Sequence, residues 1–488
     1  MNTSRREFLA ASAAFAALGG CRTTDCGSVC RAAKKGGRWY KGNLHAHTFW
    51  SDGEAFPEEA VAWYKSRGYN FLGLSDHNVF QDDPDRWVDI IGDDVPWKKP
   101  ENTGGISYRY FPCVRRHRLD TYAKAFPDAA VVRTTASGGQ QARLSTFAEL
   151  SARFNSQGKF LLLPNVEATR RVDYPGGRSH QVHMNYVNVP QLPPSFLEKG
   201  FLRFASDIPL GDFVASHVRE VASMAEKRGV PHLFILNHPI WKWYDVCPDA
   251  AIENQDLRFF EVCNNGGDFA PARGLPADGL DTDRFWDVVN AFRAKRGLPL
   301  LYGIGTDDTH RYRGEPGNML MPGNAWSLVR SASLDAASLI AAMHAGDFVT
   351  CEGLEPDDVS FNPSAGTLEV SAPAGLSART VRFVVTKRDF SEKPVGKVVV
   401  RPDKFKDTMK FQREISVYDE KVGMVAKTAT FRPGEPVRAS YTMESDDLYV
   451  RARIEEMGTT LCTASLHPQG MRVAWTQPYA NPSAILLA

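Results

Sequence analysis

The chain has 488 residues, a formal net charge of +1, and hydrophobic and charged contents of 43% and 24%. This is the composition of a globular protein with room for two domains. The balanced charge argues against a nucleic-acid-binding surface spread over the protein, so no nucleic-acid partner is expected.

Residues 1–21 have the pattern of an export signal, with the alternative of a frayed N-terminal helix. Arg5-Arg6 precedes Phe8-Leu9 and a short apolar stretch, as in twin-arginine signals. The run Leu18-Gly19-Gly20-Cys21 resembles a bacterial lipobox, whose cysteine would become the acylated N-terminus. We therefore expect an exported, periplasmic or cell-envelope protein. Its only membrane contact would be a lipid anchor at Cys21, followed by a flexible tether over residues 22–37.

Short apolar strands alternate with amphipathic helices between residues 38 and 352. Strand-like runs include 69–74, 159–163, 232–236 and 299–304, and apolar residues between them recur at helical spacing. Repeated strand–helix units predict an α/β fold with a parallel sheet and helices packed outside it. About seven such units favour closure into a barrel over an open sheet.

Two further regions break this pattern. Residues 79–146 are irregular but contain several aromatic side chains, which favours an ordered insertion or lid near the active-site mouth. After residue 355 the helical periodicity disappears, and apolar residues fall on every second position, as in Leu448–Ile454. Residues 355–488 therefore predict an antiparallel β-sandwich domain.

Histidines and carboxylates follow the predicted strands where each strand ends. Seven of the 12 histidines occur in such positions, together with carboxylates, which argues against independent structural roles. Imidazoles and carboxylates are ligands of zinc, manganese and iron, and the carboxyl ends of barrel strands converge on one face. The clusters are His45-x-His47 with Asp52, Asp76-His77, Glu167 with His180 and His183, and His238 with Asp307, Asp308 and His310.

In these motifs the chain resembles the PHP (polymerase and histidinol phosphatase) superfamily, and within it the CehA/McbA-like branch of metal-dependent hydrolases. The resemblance spans residues 43–310 and implies a distorted (β/α)7 barrel of the PHP type. The residues that carry it are His45-x-His47, Ser51-Asp52-Gly53, Ser75-Asp76-His77-Asn78, Glu167, His183, His238-Pro239 and Asp308-x-His310.

The resemblance implies two or three divalent metal ions (zinc, manganese or iron). The first position would use His45, His47, Glu167 and Asp308; the second would share Glu167 and add His183 and His238; the third would use Asp52, His77 and His310. Two alternatives are open from the sequence. His180 competes with His183, which the following strand-like residues favour. Asp307 competes with Asp308, which fits the D-x-H spacing and leaves Asp307 as a supporting group.

The function expected from this site is hydrolysis of a phosphate ester by metal-activated hydroxide. His45, His47 and Asp308 would act through the metal-bound water, on a small-molecule or polymer-derived ester. Four arginines near the motifs could bind phosphate: Arg170, Arg171, Arg178 and Arg311. One alternative is a carbamate, ester or amide hydrolase with the same metals. A second is a non-catalytic surface lipoprotein that binds a ligand.

Overall fold

A computed structural model describes residues 37–95, 113–175, 179–189, 191–193, 203–205, 207–240, 246–264, 281–313, 321–400, 413–456 and 471–482. The predicted signal and residues 22–36 of the predicted tether lie outside these ranges. Within them, no helix has the length and apolar character needed to cross a membrane.

Three of the described helices begin at a residue whose side chain accepts a hydrogen bond from a free backbone N–H group. Thr146 and Asp335, for example, each accept a hydrogen bond from the backbone N–H three residues later. Gly229 ends the longest helix in a left-handed conformation, with φ of 64°. The helices are Pro57–Ser66 (α1), Arg116–Ala125 (α2), Phe147–Phe154 (α3), Leu210–Arg228 (α4), Asp249–Ile252 (α5), Thr282–Lys295 (α6) and Ala336–His344 (α7).

The strands divide into an N-terminal set and a C-terminal set. The first set is Arg38–Asn43 (β1), Phe71–Leu72 (β2), Trp87–Ile91 (β3), Cys113–Arg115 (β4), Val132–Thr134 (β5), Gln140–Arg143 (β6), Leu161–Leu162 (β7), Glu167–Asp173 (β8), Ser179–Val187 (β9), Arg203–Ala205 (β10), Leu233–Leu236 (β11), Phe259–Asn264 (β12), Tyr302–Thr306 (β13), Trp326–Ser331 (β14) and Phe348–Glu352 (β15). The second set is Asp358–Asn362 (β16), Thr367–Ala372 (β17), Arg379–Lys387 (β18), Gly396–Val400 (β19), Arg413–Val417 (β20), Met424–Phe431 (β21), Val437–Thr442 (β22), Asp447–Glu456 (β23), Arg472–Thr476 (β24) and Tyr479–Ala480 (β25).

Two groups of parallel strands form the centre of the N-terminal part, which has the mixed α/β character predicted from the sequence. Strands β1, β2 and β7 run parallel in one sheet, and β11, β12 and β13 run parallel in another. Isolated parallel bridges connect the two groups, Ala46 with Thr309 and His77 with Glu167. Strand β9 departs from the parallel pattern, because it pairs antiparallel with both β8 and β11.

One apolar cluster draws side chains from both groups of parallel strands. It includes Phe71 of β2, Val187 of β9, Ile235 of β11, Phe259 of β12 and Ile304 of β13, all of them buried. Burial of these side chains stabilises the fold by roughly 1.5–3 kcal/mol each. The shared core fixes the strands relative to one another, and therefore fixes the loops that follow their carboxyl ends.

The C-terminal strands are antiparallel to their partners and lie in two main sheets and a separate β19–β20 pair. Strands β16, β17 and β22 form one sheet, whereas β21, β18, β23 and β24 belong to a larger one. Leu368 and Val370 of the first share a buried core with Phe383 and Ala452 of the second. The larger sheet continues through β24 and β15 into β14 and β1. The two predicted domains are therefore joined by continuous strand pairing.

A buried ion-pair network also joins α6 to β23. The Arg451 guanidinium donates from Nε and Nη2 to the carboxylate of Asp287, over 2.8 and 2.6 Å. Its Nη1 lies 3.0 Å from Asp283 Oδ1, and the Tyr449 hydroxyl donates to Asp287 Oδ1. All four residues lie between the two parts, so the C-terminal layers are packed firmly against the N-terminal sheets.

The predicted insertion, residues 79–146, has more regular structure than its irregular sequence suggested. Its described part contains α2 and a four-stranded sheet in the order β4-β3-β6-β5. Tyr122 of α2 stacks on Phe56 with ring centroids 3.8 Å apart, and Trp50 Nε1 donates to the carbonyl of Ser145. The insertion is therefore packed against the 49–56 segment, which follows the His45-x-His47 motif. Whether it acts as a lid stays a prediction.

Candidate metal centre

Four donor atoms from three separate stretches of chain meet at one point. His45 and His47 follow β1, Glu167 begins β8, and Asp308 follows β13. The Nε2 atoms of His45 and His47 each lie 3.3 Å from Glu167 Oε2 and 3.2 Å from Asp308 Oδ1. All four side chains are buried. The structure thus brings together the four residues predicted for the first metal position.

The spacing of this first group suits a metal ion. Four ligands at about 2.0–2.1 Å from a tetrahedral zinc ion lie about 3.3–3.4 Å from one another, and the four nitrogen-to-oxygen distances in this group are 3.2–3.3 Å. Among the described residues, the Nε2 atoms of His45 and His47 and Oε2 of Glu167 make no well-aligned hydrogen bond, although His77 Nδ1 lies 2.9 Å from Glu167 Oε2. Buried polar atoms are normally satisfied, so these three atoms fit a cation as their common partner.

A second group forms around the other oxygen of the same carboxylate. Glu167 Oε1 lies 3.0 Å from His183 Nδ1 and 3.4 Å from His238 Nε2, and the two imidazole rings are in edge contact. His183 pairs across the sheet with Thr169 and faces the cluster, whereas His180 lies further along β9, where its ring contacts Tyr174. Of the two candidates, the structure brings His183 to Glu167.

A third group lies on the far side of His47. His310 Nε2 is 3.3 Å from Asp52 Oδ1, and His77 Nε2 is 3.7 Å from Asp52 Oδ2. The ring of His310 stacks on that of His47 with centroids 4.1 Å apart, and ligand atoms of His47, Asp52, His77 and His310 can all lie within 4.8 Å of one another. His77 also reaches the first group, because its Nδ1 is 2.9 Å from Glu167 Oε2.

The loop that carries Asp52 is held by a buried carboxylate and by a close backbone approach. Asp76 accepts hydrogen bonds from the backbone N–H of Thr48 and the hydroxyl of Ser51, both at 2.7 Å. At Gly53 an added Cβ would lie 2.4 Å from the backbone carbonyl of His47. The Ser51-Asp52-Gly53 motif therefore requires glycine at position 53, because a side chain there would collide with the backbone of His47.

The electrostatics of the cluster favour added positive charge. Burial alone would raise the pKa of Glu167, but the surrounding imidazoles, His45 foremost, lower it well below its usual value. Burial alone would lower the pKa of His238, but Glu167 and nearby carboxylates raise it to about 9. For His183 burial prevails and lowers the pKa to about 3. The buried carboxylates thus remain charged, and divalent cations would neutralise them better than protonated imidazoles.

Three residues at the site have an unusual left-handed backbone. Asn78, His238 and Asp308 have φ values of 54°, 25° and 47°. Such conformations cost about 1–3 kcal/mol for non-glycine residues and concentrate at functional sites. At Asn78 the cost is offset in part because its Oδ1 accepts a hydrogen bond from the backbone of Thr169.

The two adjacent aspartates have different environments. Asp308 points into the first ligand group, whereas the carboxylate of Asp307 accepts hydrogen bonds from the Tyr64 hydroxyl and from the backbone N–H groups of residues 323–325. Burial raises the pKa of Asp307 to about 6. Asp307 therefore ties the 306–310 loop to the following segment and does not point at the ligand cluster.

The predicted phosphate-binding arginines are dispersed. Arg171 lies on the same face of β8 as Glu167 and Thr169, because side chains alternate along a strand; its Nε donates to Asp173. Arg170 faces the opposite side of β8. Burial lowers the pKa of its guanidinium there, and its neighbours Tyr186 and Glu220 oppose that shift. The position of Arg170 therefore does not favour the predicted phosphate contact.

The other two predicted arginines, Arg311 and Arg178, have no described contact with the ligand cluster. Arg311 follows His310 and is exposed, with Nε 4.0 Å from Glu54 Oε1. Arg178 lies outside the described residues.

One buried residue of the site was missed by the sequence analysis. Glu261 of β12 is fully buried, and its Oε1 accepts a hydrogen bond from His45 Nδ1 over 2.6 Å. The sequence Phe259–Asn264 resembles an ordinary buried strand and contains no histidine. The only available signal was a glutamate within an otherwise apolar run, since a buried acid requires partners.

Comparisons with known proteins give structural neighbours only. No protein-family model and no curated protein matches the chain. A two-domain protein from Bacteroides vulgatus containing a predicted PHP-like metal-dependent phosphoesterase is 12% identical, covers 90% of this chain and 96% of its own, and has a TM-score of 0.35. A putative metal-dependent phosphoesterase from Bifidobacterium adolescentis is 12% identical over 58% and 92% of the two chains, with a TM-score of 0.28. An amidohydrolase from Chromobacterium violaceum is 13% identical over 55% and 87%, with a TM-score of 0.24.

These similarities are distant, and the class of the protein follows from its own ligand geometry. Imidazoles and carboxylates cluster on both sides of Glu167, and these are the side chains that bind zinc, manganese and iron, so the arrangement is that of a metal centre.

Proposed function

We propose that the protein hydrolyses phosphate esters with two or three divalent metal ions. The observation that carries the proposal is the position of Glu167 between two donor groups. Its Oε2 meets His45 and His47, and its Oε1 meets His183 and His238. A carboxylate placed in this way suits two metal ions that share a ligand, which is the arrangement used for displacement at phosphorus.

The residues of the chain would have distinct tasks in this reaction. His45, His47, Glu167 and Asp308 would hold the first ion, and Glu167 would be shared with the second. Bound metals supply a nucleophilic water at neutral pH and neutralise charge on the phosphoryl oxygens. The Asp52, His77 and His310 group would hold a third ion if three are bound.

Arg171 is the arginine best placed to bind the substrate. It lies two residues beyond Thr169 on the same face of β8, which is about 7 Å along a strand, and the Thr169 hydroxyl contacts His77 Nδ1 at 2.7 Å. Its Nη atoms remain available to contact a phosphate oxygen while Nε donates to Asp173. We therefore propose that Arg171 binds the phosphoryl group or an adjacent anionic group.

A substrate panel tests this proposal against hydrolysis of a carbonyl ester, carbamate or amide on the same metals. Metal-loaded protein is assayed with phosphate monoesters, phosphodiesters, aryl esters and aryl carbamates. We expect turnover of phosphate esters, and an Arg171→Met variant should raise KM for them about 10–150-fold, one charge-assisted contact being worth about 1.5–3 kcal/mol.

Arg382→Met is the matched control. It removes another strand arginine whose Nε donates to a carboxylate, that of Glu455, and it should leave KM unchanged. Turnover of carboxyl esters or carbamates alone would reject the phosphoesterase and favour the carbonyl hydrolase. Absence of any turnover in protein that retains its metals would favour a binding function.

The finer assignments from the sequence belong to the same proposal. We propose the CehA/McbA-like branch, a distorted (β/α)7 barrel and a C-terminal β-sandwich on the basis of the motifs and of the strand pattern. The Arg5-Arg6 motif and the lipobox-like residues before Cys21 support export to the periplasm or cell envelope, with a lipid anchor. The substrate would be a small-molecule or polymer-derived ester, with no nucleic-acid partner.

A further inference from the structure

Glu261 is a buried carboxylate that the proposed reaction does not use directly. Its side chain is fully buried, and its two oxygens accept four hydrogen bonds. Oε1 accepts from His45 Nδ1 and from the Thr306 hydroxyl, both at 2.6 Å. Oε2 accepts from the His238 backbone N–H at 2.9 Å and from Asn264 Nδ2 at 2.7 Å. The carboxylate is thus fully saturated by donors on several elements.

The bond to His45 determines which imidazole nitrogen can bind a metal. A carboxylate accepts and cannot donate when it is ionised, so His45 Nδ1 must carry the proton. The other nitrogen, Nε2, then has a free lone pair, and it is this atom that faces Glu167 and Asp308 in the first ligand group. Glu261 therefore fixes both the tautomer and the ring orientation of His45.

The second oxygen of Glu261 holds the backbone that carries a ligand of the other group. His238 has a left-handed φ of 25°, which is strained for a residue with a side chain. The hydrogen bond from its N–H to Glu261 Oε2 stabilises this conformation. One carboxylate thus acts on a side chain of the first group and on the main chain of the second.

We propose that Glu261 is a positioning residue that prepares both metal positions at once. This inference rests on the metal centre of the proposed function, but it is independent of the substrate. Glutamine has the same shape but only one acceptor oxygen, and its NH2 group would face donors that now meet a carboxylate oxygen. In Glu261→Gln protein the single amide oxygen can serve only one of the two donor pairs, so either His45 or the backbone of His238 should lose its fixed arrangement.

Competition with a chromophoric zinc chelator tests the proposal on the full chain. Loss of a partner that orients a metal ligand typically lowers metal affinity about 10–100-fold, so we expect this loss for Glu261→Gln at one or both of the two positions. Glu456→Gln is the matched control, because Glu456 is also fully buried and accepts from Arg379 and from the backbone of Ser377, far from the ligands. The control should bind zinc as the unchanged protein does.

Two further measurements keep the proposal falsifiable if Glu261→Gln protein folds poorly. Thr306→Val removes one of the four hydrogen bonds while preserving side-chain shape, and it should weaken zinc binding at the first position by several-fold. Nitrogen NMR of the zinc-loaded unchanged protein should find His45 protonated at Nδ1. Native zinc affinity in both variants, or His45 protonated at Nε2, would overturn the role of Glu261. Failure of the unchanged protein to bind zinc would instead reject the metal centre itself.

Discussion

Asp307 and Asp308 provide a stringent comparison, because they are adjacent in sequence and differ only in where their carboxylates point. Asp308 Oδ1 lies 3.2 Å from the Nε2 atoms of both His45 and His47. Asp307 instead accepts four hydrogen bonds from Tyr64 and the backbone of residues 323–325. Changing each to asparagine keeps the shape and removes the charge.

The magnitudes follow from these contacts. Even partners outside the ligand shell cost about 10–100-fold in affinity, so loss of a direct ligand in Asp308→Asn should weaken the first metal position at least about 100-fold, or about 2.8 kcal/mol. In Asp307→Asn the amide oxygen can accept only two of the four hydrogen bonds, and two lost bonds at about 0.5–1.5 kcal/mol each lower stability by about 1–3 kcal/mol.

Metal content after dialysis and the melting temperature separate the two effects. Asp308→Asn should lose one metal equivalent and should melt, without metal, near the temperature of the unchanged protein. Asp307→Asn should retain its metals and melt about 1–3 °C lower. The reverse result, with metal lost only in Asp307→Asn, would refute the assignment of Asp308 as the ligand.

Two other changes have defined outcomes. Gly53→Ala would place a Cβ 2.4 Å from the carbonyl of His47 and should therefore displace the loop that carries Asp52. Metal analysis should then find one metal equivalent fewer than in the unchanged protein. Gly396→Ala is the control, because nothing lies within 4 Å of the added Cβ, and it should leave the metal content unchanged. Arg451→Met would leave the buried carboxylate of Asp287 unpaired, which costs about 3–5 kcal/mol, and should lower the melting temperature measured by calorimetry. An unchanged melting temperature would mean that this ion pair does not stabilise the contact between the two parts.

The positions of the clustered residues could be anticipated because parallel strands end on one face. His45-x-His47, Glu167 and Asp308 each follow an apolar run, and the structure brings their side chains together. Strand alternation could also have separated Arg171 from Arg170, since only a residue at an even spacing from Glu167 shares its face. That distinction required knowing that 167–173 is one uninterrupted strand.

Other features depend on contacts between residues that are distant in sequence. Glu261 and its partner His45 are 216 residues apart, and no local pattern indicates that pairing. The small sheet of the 79–146 insertion has strands of only three to five residues, too short for periodicity to identify. The pairing of β15 with β24 likewise joins two regions that composition had separated. Such pairings are decided by tertiary packing and not by local propensity.

Anomalous diffraction from crystals of the zinc- or manganese-loaded protein tests the central claim most directly. We predict one peak enclosed by His45, His47, Glu167 and Asp308, and a second on the other side of Glu167, near His183 and His238. Peaks elsewhere, or no peak between these side chains under saturating metal, would contradict a metal centre built around Glu167.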